Sequence, residues 1–174
     1  QGYREVVYVH KADAFEPRQN RLAWFREMAP ERFAGHGVLD AAAADFAEAV
    51  QVAAKRPQMA LVVDSHWLGI ALMRLIDAFR DGLGHAPGMV CLRDMRIGGL
   101  FFVNELLTPP ITSLELPLKE IGEEGVRLLA RRCGSAADGD TSSTGTTARI
   151  PMPLHIRGTT PPVGRAAVQR SVLS

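Results

Sequence analysis

The chain has 174 residues, of which 47% are hydrophobic and 22% charged, and this composition is typical of one globular domain with a sizeable core. The formal net charge is +1, so the sequence lacks the overall basic excess of nucleic-acid-binding domains. The two cysteines, Cys91 and Cys133, exclude a disulfide scaffold, and we expect neither a metal nor a cofactor. Since no apolar run has membrane-spanning length and no signal peptide opens the chain, we expect a cytoplasmic protein without membrane contact.

Short apolar runs alternate with helical patterns from Arg4 to Asp94. Four of these runs predict strands, at 4–10, 36–40, 58–65 and 88–94. Between them, Pro30 should limit the first helix, Asp40 should cap the second, and Gly82 or Gly84 should close the third. The order predicts an α/β fold, a doubly wound parallel sheet with helices on both faces.

The pattern changes after Asp94, where a long connection leads to Pro109 and Pro110. Residues 111–118 predict a further strand and residues 118–133 a helix. The segment 134–148 is rich in Gly, Ser and Thr, which predicts a disordered loop. Prolines within 149–158 predict an extended segment at an edge of the sheet.

Polar residues follow three of the predicted strands. The carboxyl ends of parallel strands meet at one edge of a sheet, and ligands of open α/β sheets bind there. Because carboxylates accept hydrogen bonds from paired hydroxyls and arginine donates several, this edge predicts a site for a small polyol. The candidate residues are His10, Lys11, Asp13, Arg21, Asp64, Ser65, His66, Arg93 and Asp94.

Each candidate also has a structural interpretation. Asp64 precedes a helix and is equally well explained as its N-cap. Arg21 alone would be a solvated helix residue, and His66 a surface or capping residue. Trp24 and Trp67 are more often packing residues than the aromatic wall of a sugar site. No nucleophile-elbow motif frames the serine after Asp64, so a hydrolase is the weakest interpretation and we expect no enzyme.

Five motifs in sequence order resemble the lactose-repressor (LacI/GalR) type of transcription regulator: "GYREVVYV", "NRLAWF", "VVDSHWLGIALMRLI", "PPITSLELPLKEIGEEGVRLL" and "HIRGTTPP". The resemblance covers nearly the whole chain outside 134–148. In that family an effector-binding domain has two lobes joined by three crossovers. The resemblance implies that residues 1–105 form the C-terminal lobe, a periplasmic-binding-protein-like, Rossmann-like three-layer unit. It also implies that the strand and helix in 106–133 belong to a missing N-terminal lobe, and that 149–174 holds a crossover strand and tail.

The resemblance implies ligand-binding roles for Arg21, Asp64 and Asp94, with Gly99 as a rival to Asp94 by spacing. Their place on the same edge adds His66 and Asp13 to the expected ligand-binding set. Two positions depart from the family pattern: Val63 stands where many members have Asn, and Trp24 where Gly is common.

The partners implied by the resemblance are a sugar-like small-molecule effector and a second copy of the chain in a homodimer. Operator DNA would be bound only through the absent helix-turn-helix headpiece. The alternative is a periplasmic sugar-binding protein of a transport system, which has a similar fold.

The segment 106–132 carries apolar residues that the parent fold would bury against the missing lobe. Exposed apolar patches of more than a few hundred Å² are rare on soluble monomers. We therefore expect this segment to pack on another copy of the chain or to be displaced from the sheet. The apolar residues concerned are Leu114, Leu116, Leu118, Ile121, Val126, Leu128 and Leu129.

Overall fold

A computed structural model describes residues 2–11, 16–41, 46–78, 87–97, 100–101, 109–137 and 147–160. Within these ranges the helices are α1 Glu16–Arg32, α2 Phe46–Ala54, α3 His66–Ala78 and α4 Leu118–Ala137. The strands are β1 Glu5–His10, β2 Gly35–Asp40, β3 Met59–Val63, β4 Gly88–Ile97, β5 Leu100–Phe101, β6 Thr112–Leu116 and β7 Leu154–His155. None of the helices described is long and apolar enough to cross a membrane.

The strands form a mostly parallel sheet in the order β2-β1-β3-β4-β6-β7. The strands from β2 to β6 pair in parallel, whereas β7 is antiparallel to β6 and the short β5 is antiparallel to β4. The predicted α/β fold with a doubly wound parallel sheet is confirmed. The chain leaves β1 toward β2 and then returns past β1 to β3, so the winding direction reverses between β1 and β3.

The reversal places helices on both faces of the sheet, because parallel crossovers are right-handed. Helix α1 packs on β1 and β2, while α2 and α3 pack against each other on the opposite face. The core lies between the sheet and this α2–α3 layer, and Val9, Val63, Leu72 and Met89 are fully buried in it. Strands buried on both faces favour continuous apolar runs, which explains why β1 and β3 were recognisable in the sequence.

Three predicted element boundaries between residues 4 and 94 are wrong. Pro30 lies inside α1, which continues to Arg32; a proline in the last turn disturbs only the end of the helical hydrogen-bond ladder. Asp40 is the last residue of β2 rather than a helix cap, because its backbone pairs with His10. Strand β4 does not stop at Asp94 but continues to Ile97. The predicted helix ends at Gly82 and Gly84 lie outside the described residues.

The strand predicted at 111–118 lies in this sheet and not apart from it. Strand β6 pairs in parallel with β4, with Cys91 opposite Ser113 and Asp94 opposite Glu115. Between these two pairs β4 advances by one residue more than β6, which makes a β-bulge.

Helix α4 differs from the other helices in its lack of burial. It continues to Ala137, past the predicted end at Cys133, so the first residues of the predicted loop are helical. The rest of that loop, 138–146, lies outside the described residues. None of the residues 118–133 of α4 is buried, and Val126 and Leu129 are 69% and 63% exposed.

A buried hydroxyl network fastens the segment after β7 to the sheet. Thr159 Oγ1 accepts a hydrogen bond from Thr112 N (2.8 Å) and donates one to the Met89 carbonyl (2.8 Å). Thr112 Oγ1 lies 2.7 Å from Thr160 Oγ1 and accepts from Arg157 N at 2.8 Å. This segment is held so closely that a Cβ added at Gly158 would lie 2.6 Å from the Pro109 Cβ.

Candidate functional site

The candidate site begins with Asp64, at the carboxyl end of β3 beside the reversal point. Its backbone N–H donates to the Val9 carbonyl of β1 at 2.9 Å, which ties the two strand ends together. Helix α3 begins at His66, so the N-cap position falls on Ser65, and the Leu68 N–H points at Ser65 Oγ (3.5 Å). The N-cap interpretation of Asp64 is therefore wrong by one residue. Asp64 is 1% exposed, and a carboxylate so deeply buried requires partners.

Two side chains from different elements meet the Asp64 carboxylate at one oxygen. Arg21 of α1 donates from Nε to Asp64 Oδ1 at 2.8 Å, and the Tyr8 hydroxyl of β1 donates to the same atom at 2.9 Å. Arg21 Nη2 also lies 2.7 Å from Oδ1, but its N–H bonds have no aligned acceptor among the described residues. Arg21 thus compensates the negative charge of the Asp64 carboxylate from the α1 face of the sheet.

Tyr8 is buried in an aromatic stack that orients its hydroxyl. Its ring stacks on Phe25 of α1, with centroids 5.1 Å apart and 24° between the planes, and on His10 with centroids 5.9 Å apart. Burial, followed by the nearby Asp64 charge, raises the pKa of Tyr8 to about 12. The hydroxyl therefore stays protonated near neutral pH and acts as a donor to Asp64.

A cavity of approximately 360 Å³ opens at this edge of the sheet, on the α3 side of Asp64. Its size suits a small metabolite. Lys11, Ser65 and Trp67 give the lining an ammonium group, a hydroxyl and an indole that is 64% exposed, whereas Asp64 borders the cavity with only 1% of its surface exposed. The lining residues are Lys11, Ala41, Asp64, Ser65, Trp67, Leu68 and Ala71.

The structure brings together some of the predicted site residues and not others. Arg21 and Asp64 form an ion pair, and Lys11 and Ser65 share the cavity with Asp64. His66 instead stacks on Trp67, with centroids 4.7 Å apart, and is not among the lining residues.

Two further predicted residues cannot be placed in this way. Asp13 lies outside the described residues. Asp94 lies within β4. The β3–β4 register places Asp64 level with Leu92, so Asp94 is two positions further along β4. The side chain of Asp94 is not described. The described residues contain no group of His, Cys, Asp and Glu that could hold a metal ion.

Sequence reasoning missed Tyr8 as a partner of the site. The signal was available, because a tyrosine within a buried apolar strand must find an acceptor for its hydroxyl. Trp24 was expected to pack, yet it is 67% exposed on α1. That expectation failed because α1 buries little of its own surface: Ala29 is the one residue of 19–32 that is fully buried.

This fold is that of a periplasmic binding protein-like domain. Residues 1–160 match the model of that family, so the chain belongs to it. No curated protein sequence matches the chain significantly. Its structural neighbours are mostly LacI-family transcriptional regulators, which agrees with the resemblance seen in the sequence.

Three solved structures illustrate the likeness. A probable maltose operon transcriptional repressor from Staphylococcus is 13% identical with a TM-score of 0.66 over 91% of this chain and 54% of its own. The dimeric Lac repressor is 17% identical with a TM-score of 0.61, covering 91% of this chain and 56% of its own. A periplasmic binding protein/LacI transcriptional regulator from Alkaliphilus metalliredigens, complexed with D-xylulofuranose, is 15% identical (TM-score 0.59; 91% and 57% covered). The chain thus spans just over half the length of these proteins.

Proposed function

We propose that this chain is the C-terminal lobe of the effector-binding domain of a LacI/GalR-type transcription regulator, and that it binds a sugar-like effector. The observation that carries the proposal is the Arg21–Asp64 ion pair beside a cavity at the reversal point of a doubly wound sheet. Ligands of such sheets bind at this point, outside the carboxyl ends of the strands.

The chemistry of the site suits a polyol. Asp64 and Lys11 line the cavity and provide a carboxylate acceptor and a charged donor there. Arg21 is not a lining residue, and its role as a donor to the effector rests on the family resemblance and on its ion pair with Asp64. The Trp67 indole presents an apolar surface of the kind that covers the C–H face of a sugar ring. Related folds take similar ligands, since one structural neighbour is complexed with D-xylulofuranose.

The regulatory part of the proposal concerns a second lobe. In a two-lobed domain, an effector held between the lobes favours the closed arrangement by its difference in affinity for the two states. In a homodimer, closure changes how the DNA-binding headpieces are presented. Operator DNA is then a partner of the headpiece and not of this lobe. Two features support an incomplete unit: the chain covers just over half of its neighbours, and α4 is uncovered.

The experiment is calorimetric titration of the full gene product with D-xylulose, D-ribose, D-glucose, maltose and lactose. For the sugar that binds most tightly, Arg21→Ala should weaken binding by roughly 1.5–3 kcal/mol, the range for hydrogen bonds to a charged group.

Arg56→Ala is the matched control. It removes an arginine of the exposed Arg56–Glu5 pair and should leave the affinity unchanged. Unchanged affinity in Arg21→Ala, or equal losses in both variants, would remove Arg21 from the site. Binding of none of these sugars would argue against a sugar-like effector.

A further inference from the structure

We propose that Tyr8 is a positioning residue of this site, whose buried hydroxyl holds the Arg21–Asp64 pair in the orientation that the effector meets. The inference rests on the proposed function for its biological meaning, although its central contact can be tested without any effector.

The hydroxyl of Tyr8 has a purpose beyond packing. The residue is 1% exposed and its ring stacks on Phe25 and His10, contacts that a phenylalanine ring would also make. A buried hydroxyl costs free energy unless it is hydrogen-bonded, and this one donates to Asp64, 56 residues away in sequence. The contact joins β1 to the end of β3 at the reversal point.

Three elements converge on one atom. Asp64 Oδ1 accepts from the Tyr8 hydroxyl of β1 and from Arg21 Nε of α1. Two donors arriving from different directions fix the rotation of the carboxyl group about its Cβ–Cγ bond. Without the Tyr8 hydroxyl, the Asp64 carboxylate can rotate. Its rotation would change the lining of the cavity at Asp64 and the orientation of the paired Arg21 guanidinium.

Tyr8 itself never reaches the cavity. It is absent from the lining residues, whereas Asp64 belongs to them. Its effect on an effector is therefore transmitted through the ion pair. This makes a specific prediction: the loss caused by Tyr8→Phe depends on the presence of Arg21.

The first test uses nuclear magnetic resonance of the full gene product without any sugar. It follows hydrogen exchange of the Arg21 Nε–H, assigned by loss of its signal in Arg21→Lys. In Tyr8→Phe this exchange should accelerate about tenfold, the equivalent of one hydrogen bond to a charged group. Tyr3→Phe, at the amino end of the sheet, is the matched control and should change nothing. Acceleration of less than about threefold in Tyr8→Phe, or an equal change in the control, overturns the proposal.

The second test is a double-mutant cycle on the affinity for the tightest-binding sugar of the titration panel. Tyr8→Phe should weaken binding about tenfold in the wild-type background and have no further effect in Arg21→Ala. Additive losses would mean that Tyr8 acts by general destabilisation, and would overturn the positioning role. If no sugar of the panel binds, the proposed function loses its support, while the exchange measurement still decides whether Tyr8 holds the pair.

Discussion

Two regions of this molecule differ in how far they bury their apolar side chains. In the reversal-point region, formed by β1, β3, α2 and α3, apolar side chains are buried, and the buried carboxylate of Asp64 at the end of β3 is compensated by Tyr8 and Arg21. In the crossover region, formed by β6, α4 and β7, the strands are fastened to the sheet by buried hydroxyls. The helix between them leaves Val126 and Leu129 in solvent.

The difference shows which part of the chain buries its own apolar surface and which part does not. Burial of apolar surface contributes about 25 cal/mol per Å², so a helix without buried residues adds little to the stability of the chain that carries it. The reversal-point region completes its own core, whereas α4 needs a partner surface. This supports our proposal that the chain is part of a larger unit, in which α4 would pack on a second lobe.

The largest expected effect contrasts two leucines. Leu72 of α3 is fully buried, and Leu72→Ala should lower the free energy of unfolding by about 3 kcal/mol, from lost transfer energy and a residual cavity. Leu129→Ala, at a 63% exposed position of α4, should lower it by less than about 0.5 kcal/mol. Urea unfolding of the 174-residue chain, followed by circular dichroism at a concentration too low for association, measures both. Similar losses at the two positions would mean that α4 is packed in solution.

The next effect tests the buried ion pair. Asp64→Ala leaves the Tyr8 hydroxyl and the Arg21 guanidinium without their acceptor. Because Arg21 is 22% exposed, the loss should be about 2–3 kcal/mol, below the usual value for a fully buried pair. Glu5→Ala, which breaks the exposed pair with Arg56, should cost less than about 1 kcal/mol. The same unfolding measurement would contradict this prediction if the two variants were equally stable.

A smaller effect concerns the hydroxyl network of the crossover region. Thr159→Val keeps the shape of the side chain but leaves the Thr112 N–H and the Met89 carbonyl without their partner. We expect a loss of about 2 kcal/mol, together with faster amide exchange at Thr112. Thr147→Val, at an exposed position before β7, should show neither change. Unaltered exchange at Thr112 in Thr159→Val would show that the network does not hold this segment.

The smallest effect on stability is expected for substitutions on α4. These substitutions should instead change the oligomeric state of the chain. We predict that the 174-residue chain covers the apolar face of α4 with a second copy. Val126→Glu combined with Leu129→Glu should then lower the mass measured by light scattering, while altering the free energy of unfolding of the dilute, monomeric chain by less than about 0.5 kcal/mol. Lys119→Glu on the same helix also changes the net charge by −2 and should leave the mass unchanged. A monomeric wild-type chain would contradict the prediction.

Much of the fold could be predicted from the sequence because its strands are continuous apolar runs. Strands β1 and β3 were found within a residue or two, since each contains an apolar run of the kind that burial on both faces favours. The continuation of β4 past Asp94 could not be predicted, because a β-bulge changes the local alternation. The place of β6 in the sheet depends on pairing with a distant strand, which local patterns do not encode.

The candidate site was predictable in part. Arg21 and Asp64 were identified from the family resemblance and from their position at the carboxyl edge, and the structure pairs them. The sequence could not show that Arg21 bonds to Asp64 itself, because that contact depends on how α1 and the end of β3 pack across β1. Tyr8 escaped detection since a tyrosine in an apolar strand resembles any other large core residue. Its hydroxyl acquires a role only when the end of β3 lies beside it.

The close approach of Gly158 to Pro109 has a mechanical consequence. One residue lies just before β6 and the other just after β7, so the outgoing and returning segments touch where they meet the sheet. A side chain at position 158 would push them apart, and the Thr112, Thr159 and Thr160 hydroxyls could no longer meet. Any swing of α4 relative to the sheet must therefore bend both segments above a common, rigid base. Because β6 pairs with β4 as far as Leu116, such a swing would bend the outgoing segment beyond that residue, near Pro117.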